Sequence, residues 1–318
     1  MKKNNFLSKM LICLSLLMFQ IEPLKAEENK SITLTEKEKI QNIVSFYSEN
    51  STFNKSIEIK LNDLDTLAEK EIQFLNDNYE VIMGKLKEYE GVEFRYNNHF
   101  FISDKKIFKE IVLPKEVEKE IDLSLFEIGM FNCELCLRLN NLTRLYIKNY
   151  NYRKSPLNLN YIFIPAALKD QKNRQYIIAD AMVVLSLESI SKNTKHTNEL
   201  INSLMFDTLY NKVNFLDKNT MKKWVKNKKL NVKKYEKEFK DKNNIQVARI
   251  VANDIDQFDI KTFPMLVINN KFFILKNAVE SMHKNYYNDE LSLALLDYVS
   301  TLAVLEKKGF ISIEFVKE

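Results

Sequence analysis

The chain holds three cysteines, and two of them, Cys133 and Cys136, stand together in Phe131-Asn132-Cys133-Glu134-Leu135-Cys136. The third, Cys13, falls within the first 26 residues. The hydropathy pattern on either side places the pair where a strand, Leu123 to Ile128, passes into a helix, about Cys133 to Tyr150. That junction narrows what the chain can be. The first thiol falls among backbone N–H groups that lack an intrahelical partner, where the helix dipole favours a thiolate. Cys136, one turn further in, is placed to attack a mixed disulfide formed by Cys133 and so release it. A structural disulfide or half of a zinc site are the other readings of the pair. Zinc takes four ligands, and the only histidines, His99, His196 and His283, are widely scattered; no metal is expected.

Residues 1–26 read as a secretory signal peptide. Lys2, Lys3 and Lys9 precede an apolar core from Met10 to Ile21, and Leu24-Lys25-Ala26 forms a cleavage site after Ala26. The apolar core is short for a membrane span. Leu11-Ile12 before Cys13 are bulky where a lipidation signal wants small residues. With four Lys and one Glu, net +3, this segment takes the formal charge from +5 to +2 when it leaves. That balance excludes nucleic-acid binding as an expectation. Lysine-rich Lys222 to Lys242 alternates with Glu and Asp at helical spacing, the pattern of a solvated face. Four glycines and the lack of a phosphate-binding loop imply no organic cofactor.

Along the chain, residues 27–89 read as mainly helical, with one segment from Thr35 to about Glu49 and a second from Asp63 to Tyr89. Val92 to Ile102 reads as a hairpin turning at Asn97-Asn98. A boundary is placed near residue 115, after Pro114. Then come the strand to Ile128, the cysteine helix, and a second strand, Leu159 to Pro165, which implies a parallel pair with a helical crossover. Residues 168–257 form a helical block: Tyr176 to Ser191, Asn198 to Asn211, Asn219 to Lys228, Val232 to Lys240 and Asn244 to Asp256. Trp224 and Tyr235 within it are expected in its core. Thr262-Phe263-Pro264 leads into a strand, an Asn269-Asn270 turn and a second strand to Ile274. Asp289 to Glu306 closes as a helix, and Gly309 to Val316 is expected as an edge strand.

This order, strand, Cys-x-x-Cys helix, strand, helical insertion of about 90 residues, Pro-led hairpin and closing helix, resembles the DsbA-like thiol–disulfide oxidoreductases over about residues 120–306. The resemblance implies an α/β thioredoxin-like fold with an inserted helical domain, here preceded by a mainly helical N-terminal extension over 27–115. It implies Cys133 as nucleophile, Cys136 as resolving thiol, and a cis peptide bond before Pro264, in a loop that offers backbone groups to an extended substrate. Glu127, six residues before Cys133 on an otherwise apolar strand, matches the family's buried acid. A raised pKa would let it shuttle the proton of Cys136; the alternative is that its side chain points outward.

Three departures stand out. Glu134-Leu135 replaces the Pro-His of strongly oxidising members, and an acid beside Cys133 opposes its thiolate. Phe263 is bulkier than the residue usual before the proline. Residues 27–115 lie outside the resemblance; larger relatives use such an extension to dimerise, which leaves a homodimer through this region open. The implied activity is introduction of disulfides into exported, cysteine-containing client proteins in the periplasm. Phe263, Pro264, Glu134 and Leu135 then face substrate, and a membrane partner reoxidises the enzyme. A dimeric isomerase or reductase, or a redox-inactive chaperone with a structural disulfide, are the alternatives.

Overall fold

A strand whose seven residues are all buried, Leu123–Gly129 (β3), leads into the cysteine pair. Its sequence, Leu-Ser-Leu-Phe-Glu-Ile-Gly, is apolar on both faces apart from Ser124 and Glu127, as expected for a strand covered on both sides. The computed structural model describes residues 34–50, 57–87, 100–102, 119–149, 158–166, 174–257, 263–274 and 288–315. Before β3 these hold helix α1 (Glu36–Asn50), strand β1 (Ile57–Leu61), helix α2 (Glu69–Lys87) and strand β2 (Phe100–Ile102). After it come α3 (Glu134–Asn149), β4 (Leu159–Pro165), α4 (Arg174–Ile190), α5 (Thr194–Tyr210), α6 (Lys218–Asn227), α7 (Val232–Glu238) and α8 (Lys242–Gln257). The chain continues through β5 (Met265–Ile268), β6 (Phe272–Ile274), α9 (Asn288–Lys307) and β7 (Ile311–Phe315).

Five strands form the main sheet in the order β2-β6-β5-β3-β4. β3 and β4 run parallel, with Leu125 opposite Tyr161 and Glu127 opposite Phe163, and α3 is their crossover. β5 lies antiparallel on the other side of β3, with Met265 opposite Ile128. β5 turns into β6 through a three-residue loop, 269–271, in which Asn269 and Asn270 sit at φ 48° and 57°, left-handed backbone that Asn tolerates. Asn269 also fixes the turn in space. Its Oδ1 accepts from the Ser124 backbone N–H at 2.8 Å and its Nδ2 donates to the Ala303 carbonyl of α9 at 3.2 Å. α9 packs against α3, β3 and β5.

The helical insertion α4–α8 sits between β4 and β5 in the chain. Four of its helices open on a side-chain cap: Asn193 Oδ1 accepts from His196 N–H, Asp217 from Thr220 N–H, Asn231 from Lys234 N–H and Asp241 from Asn244 N–H, each satisfying a first-turn donor. Trp224 and Tyr235 are buried as expected.

The region before residue 115 differs in part from its reading as helix. Ile57, Ile59 and Leu61 alternate, and this segment is a strand paired antiparallel with β7, Ile57 opposite Phe315 and Leu61 opposite Ile311. The tail therefore closes a separate two-stranded sheet instead of adding an edge to the main one. Its partner lies some 250 residues away, beyond the reach of a local pattern. Of the expected 92–102 hairpin, only Phe100–Ile102 is described; it pairs antiparallel with β6, Phe100 opposite Ile274. The remainder lies outside the described residues, as does the segment read as a signal peptide. α1 and α2 dock on the end of the chain. Tyr47 packs edge-on to Tyr298 of α9 at 4.3 Å between ring centroids, and Lys308 reaches both Glu71 of α2 and Asp122, each at 3.0 Å.

Candidate active site

β3 ends at Gly129, the chain turns through Met130-Phe131-Asn132, and α3 begins at Glu134. The turn closes with the Cys133 N–H on the Met130 carbonyl at 3.3 Å, and the Leu137 N–H then donates to the Cys133 carbonyl at 3.0 Å. Cys133 is thereby the residue that caps α3. Its Sγ is bonded to that of Cys136, with 5.2 Å between the Cα atoms. The two sulfurs differ in access: Cys133 is half-buried and Cys136 is completely buried. An incoming thiolate therefore meets Cys133 first. The Cys136 backbone N–H points at Cys133 Sγ from 3.1 Å, so when the bond opens, negative charge on that sulfur has a donor in place, in addition to the helix dipole.

Gly129 lets the helix lie this close. A Cβ built on it would stand 3.0 Å from Cys136 Sγ, 3.1 Å from Cys136 Cβ and 3.3 Å from the Phe163 ring. Gly129→Ala is accordingly expected to lower stability by about 1–3 kcal/mol through overpacking, read as an earlier urea midpoint, and to displace Cys136. An unchanged midpoint would show that α3 shifts freely.

Glu127 is on the same face of β3 as Gly129, two residues back. It does not point outward: its exposure is 0%. Oε2 accepts hydrogen bonds from Asn140 Nδ2 at 2.9 Å and from the Tyr161 hydroxyl, while Oε1 has no hydrogen-bond partner among the described residues. Burial raises its pKa to about 8, with the two hydrogen bonds pulling the other way. Asn140 lies one helical turn beyond Cys136, so the acid's amide partner and the buried sulfur share a face of α3. Asn140 Oδ1 in turn accepts from Asn202 Nδ2 of α5 at 2.8 Å, and Asn202 also reaches the exposed Asn141 at 2.9 Å. Gly129, Asn140 and Tyr161 were not singled out from sequence. The signals available were a glycine ending a buried strand, an asparagine four residues after a cysteine, and a tyrosine in a strand paired with the one bearing the acid.

The peptide bond between Phe263 and Pro264 is cis. Because Met265 is opposite Ile128, Pro264 falls beside the end of β3, where the chain turns toward Cys133. Phe263 is 6% exposed and belongs to the core cluster that contains Phe131, Cys136 and Met265, with Cys133 packed against it. Little of its ring is therefore open to a substrate. Glu134 is exposed, with the Tyr210 hydroxyl 3.4 Å from its Oε1, and Leu135 is half-buried. Among the histidines, His196 serves the start of α5, its Nδ1 accepting from the Lys192 N–H at 3.1 Å. His99 and His283 lie outside the described residues.

No protein-family model matches the chain, and no curated protein matches it. Solved structures do. Reduced DsbA1 from Neisseria meningitidis superposes with a TM-score of 0.50 at 11% identity, covering 67% of this chain and 96% of that one. The fold is DsbA-like. DsbA from Pseudomonas aeruginosa also aligns, with a TM-score of 0.48 at 13% identity over 67% of this chain and 95% of its own. The DsbA-like fold, a thioredoxin-like sheet interrupted by a helical insertion, places the cysteine pair at the start of α3.

Proposed function

We propose that the chain is an exported thiol–disulfide oxidoreductase that introduces disulfides into cysteine-containing client proteins through Cys133 and Cys136. The observation that carries this reading is the asymmetry of the pair: one sulfur accessible at a helix start with a backbone donor aimed at it, the other buried on the face that leads to a protonatable carboxyl. A client thiolate attacks Cys133 Sγ, the S–S bond breaks, and its electron pair leaves on Cys136. Glu127, neutral below about pH 8, supplies the proton that Cys136 then takes up. A second client thiolate attacks the mixed disulfide; the client leaves oxidised and the enzyme keeps two electrons as a dithiol. A membrane partner removes those electrons. Residues 1–26, with their basic start and apolar core, support export to the periplasm.

A second reading, reductase or isomerase, has one specific observation in its favour. Glu134 places an exposed carboxylate next to Cys133, which disfavours the thiolate and makes the disulfide a weaker oxidant. The two are separated by equilibrating the protein with glutathione buffers and measuring the reduction potential. The expected value lies above the roughly −270 mV of thioredoxin and below the roughly −120 mV of a strongly oxidising DsbA. A potential at or below that of thioredoxin would replace disulfide donation with reduction or isomerisation.

A further inference from the structure

Among the described residues five large hydrophobic side chains stand exposed, and three of them fall within one short stretch: Phe206 (49%), Tyr210 (53%) and Leu216 (41%). Such clustering is uncommon on a surface that meets only water. The stretch begins beside the cysteine pair. The Tyr210 hydroxyl stands 3.4 Å from Glu134, the neighbour of Cys133, and its ring lies 4.9 Å from that of Phe206. Further along, Phe215 packs 4.8 Å from Phe131, two residues before Cys133.

Phe215 and Leu216 then form one wall of a cavity of about 320 Å³ in the helical insertion, with Met221, Tyr235, Phe239 and Ile245 also lining it. That volume falls at the lower end of the range for small-molecule sites, roughly 300–1,000 Å³. The charged residues around it are Lys218, Lys222, Lys240 and Glu236. Glu236 is shared between Lys222 at 2.7 Å and Lys218 at 3.7 Å, so it offsets one of three positive charges. α6 itself carries Lys218, Lys222, Lys223 and Lys226 and no acid. An apolar cavity under a net positive rim fits an apolar group flanked by negative charge.

We propose that this surface is a client-binding subsite. The cavity receives an aromatic or aliphatic side chain of a reduced client, acidic residues beside that anchor meet Lys218 and Lys240, and the segment runs over Leu216 and Tyr210 to present a cysteine to Cys133. The purpose of binding rests on the thiol–disulfide reading; the binding itself does not.

The full chain is titrated with a fluorescein-labelled, cysteine-free peptide carrying Phe between two Asp residues, and with a control in which Phe is Ser and each Asp is Asn. A cysteine-bearing version of each peptide is then compared in thiol exchange. The anchored peptide is expected to bind about tenfold more tightly and to show a correspondingly lower KM. Leu216→Asp and Lys218→Glu, both at exposed positions, are each expected to bring that preference close to one. Equal binding of the two peptides, or a preference unmoved by both substitutions, would overturn the subsite. Binding of dodecanoate without binding of the peptide would overturn it in favour of an amphiphile. Failure of the native protein to exchange with dithiothreitol defeats the thiol reading instead, and the cysteine-free titration still decides the subsite.

Discussion

Cys133→Ser is expected to reduce disulfide exchange with a client dithiol to the uncatalysed background, a loss of at least about a thousandfold, because it leaves no disulfide for the client thiolate to attack and the remaining Cys136 is buried. Cys136→Ala is expected to behave differently. It leaves Cys133 able to form a mixed disulfide with an oxidised client but removes the buried thiol that would release it. The variant should accumulate a covalent complex, visible as one added client mass and dissolved by dithiothreitol. If the disulfide were only structural, Cys133→Ser would leave activity intact and lower stability by about 2–5 kcal/mol. A ring closed between residues three apart constrains the unfolded chain little, so that result would be surprising on entropy grounds as well.

Glu127 carries the second large effect, and it is one of pH. Its carboxyl titrates at about 8 in the folded protein, raised by burial from an ordinary value of 4.5. Between those values the folded state holds a proton that the unfolded state has released, so unfolding loses a proton and stability falls as pH rises. The favourable contribution is whole below about pH 4.5 and gone above about 8, at about 1.4 kcal/mol per pH unit within that span. Asp180, also buried and raised from 3.8 to about 7, adds a parallel loss over its own span. Urea midpoints of the disulfide form should therefore drop between pH 5 and pH 8, and Glu127→Gln should lessen the drop while leaving the Asp180 share. In exchange assays the same substitution removes the proposed proton donor to Cys136. The expected cost is about a hundredfold near pH 7, the lower end of the range general acid–base catalysis supplies, with the pH profile flattened near 8. An unchanged profile would take Glu127 out of the proton path and leave it as a buried acid without a chemical role.

Much of this fold was legible because its signals are local. The strand read as Leu159 to Pro165 is Leu159–Pro165 in the structure, and the cysteine helix read from about Cys133 to Tyr150 runs Glu134–Asn149. Apolar runs, helical periodicity and the Asn269-Asn270 turn depend on neighbours within a few residues. The start of α5 was read four residues late, at Asn198, since the cap that opens it is Asn193 accepting from His196 N–H. The cysteine pair was equally plain, because Cys133 and Cys136 are the only cysteines beyond residue 26 and stand three residues apart.

What required the tertiary structure was everything that depends on distant residues or on the loss of water. Ile57–Leu61 alternates weakly, and only pairing with Ile311–Phe315 makes it a strand. Glu127 on sequence had two fates, outward or buried; packing of α3 over Gly129 and of β4 alongside chose burial, and burial raised its pKa. Its partners Asn140 and Tyr161 lie 13 and 34 residues away, so no spacing rule points to them. Phe263, taken from sequence as a substrate contact, is drawn into the core with Phe131. The amino-acid order thus determined where the thiols sit and which elements flank them, since hydrophobic period and turn chemistry act over single turns. Which side chains lose water, and so which acid keeps its proton beside the disulfide, was decided only when segments far apart in sequence packed together, because desolvation belongs to the assembled core and not to any one stretch.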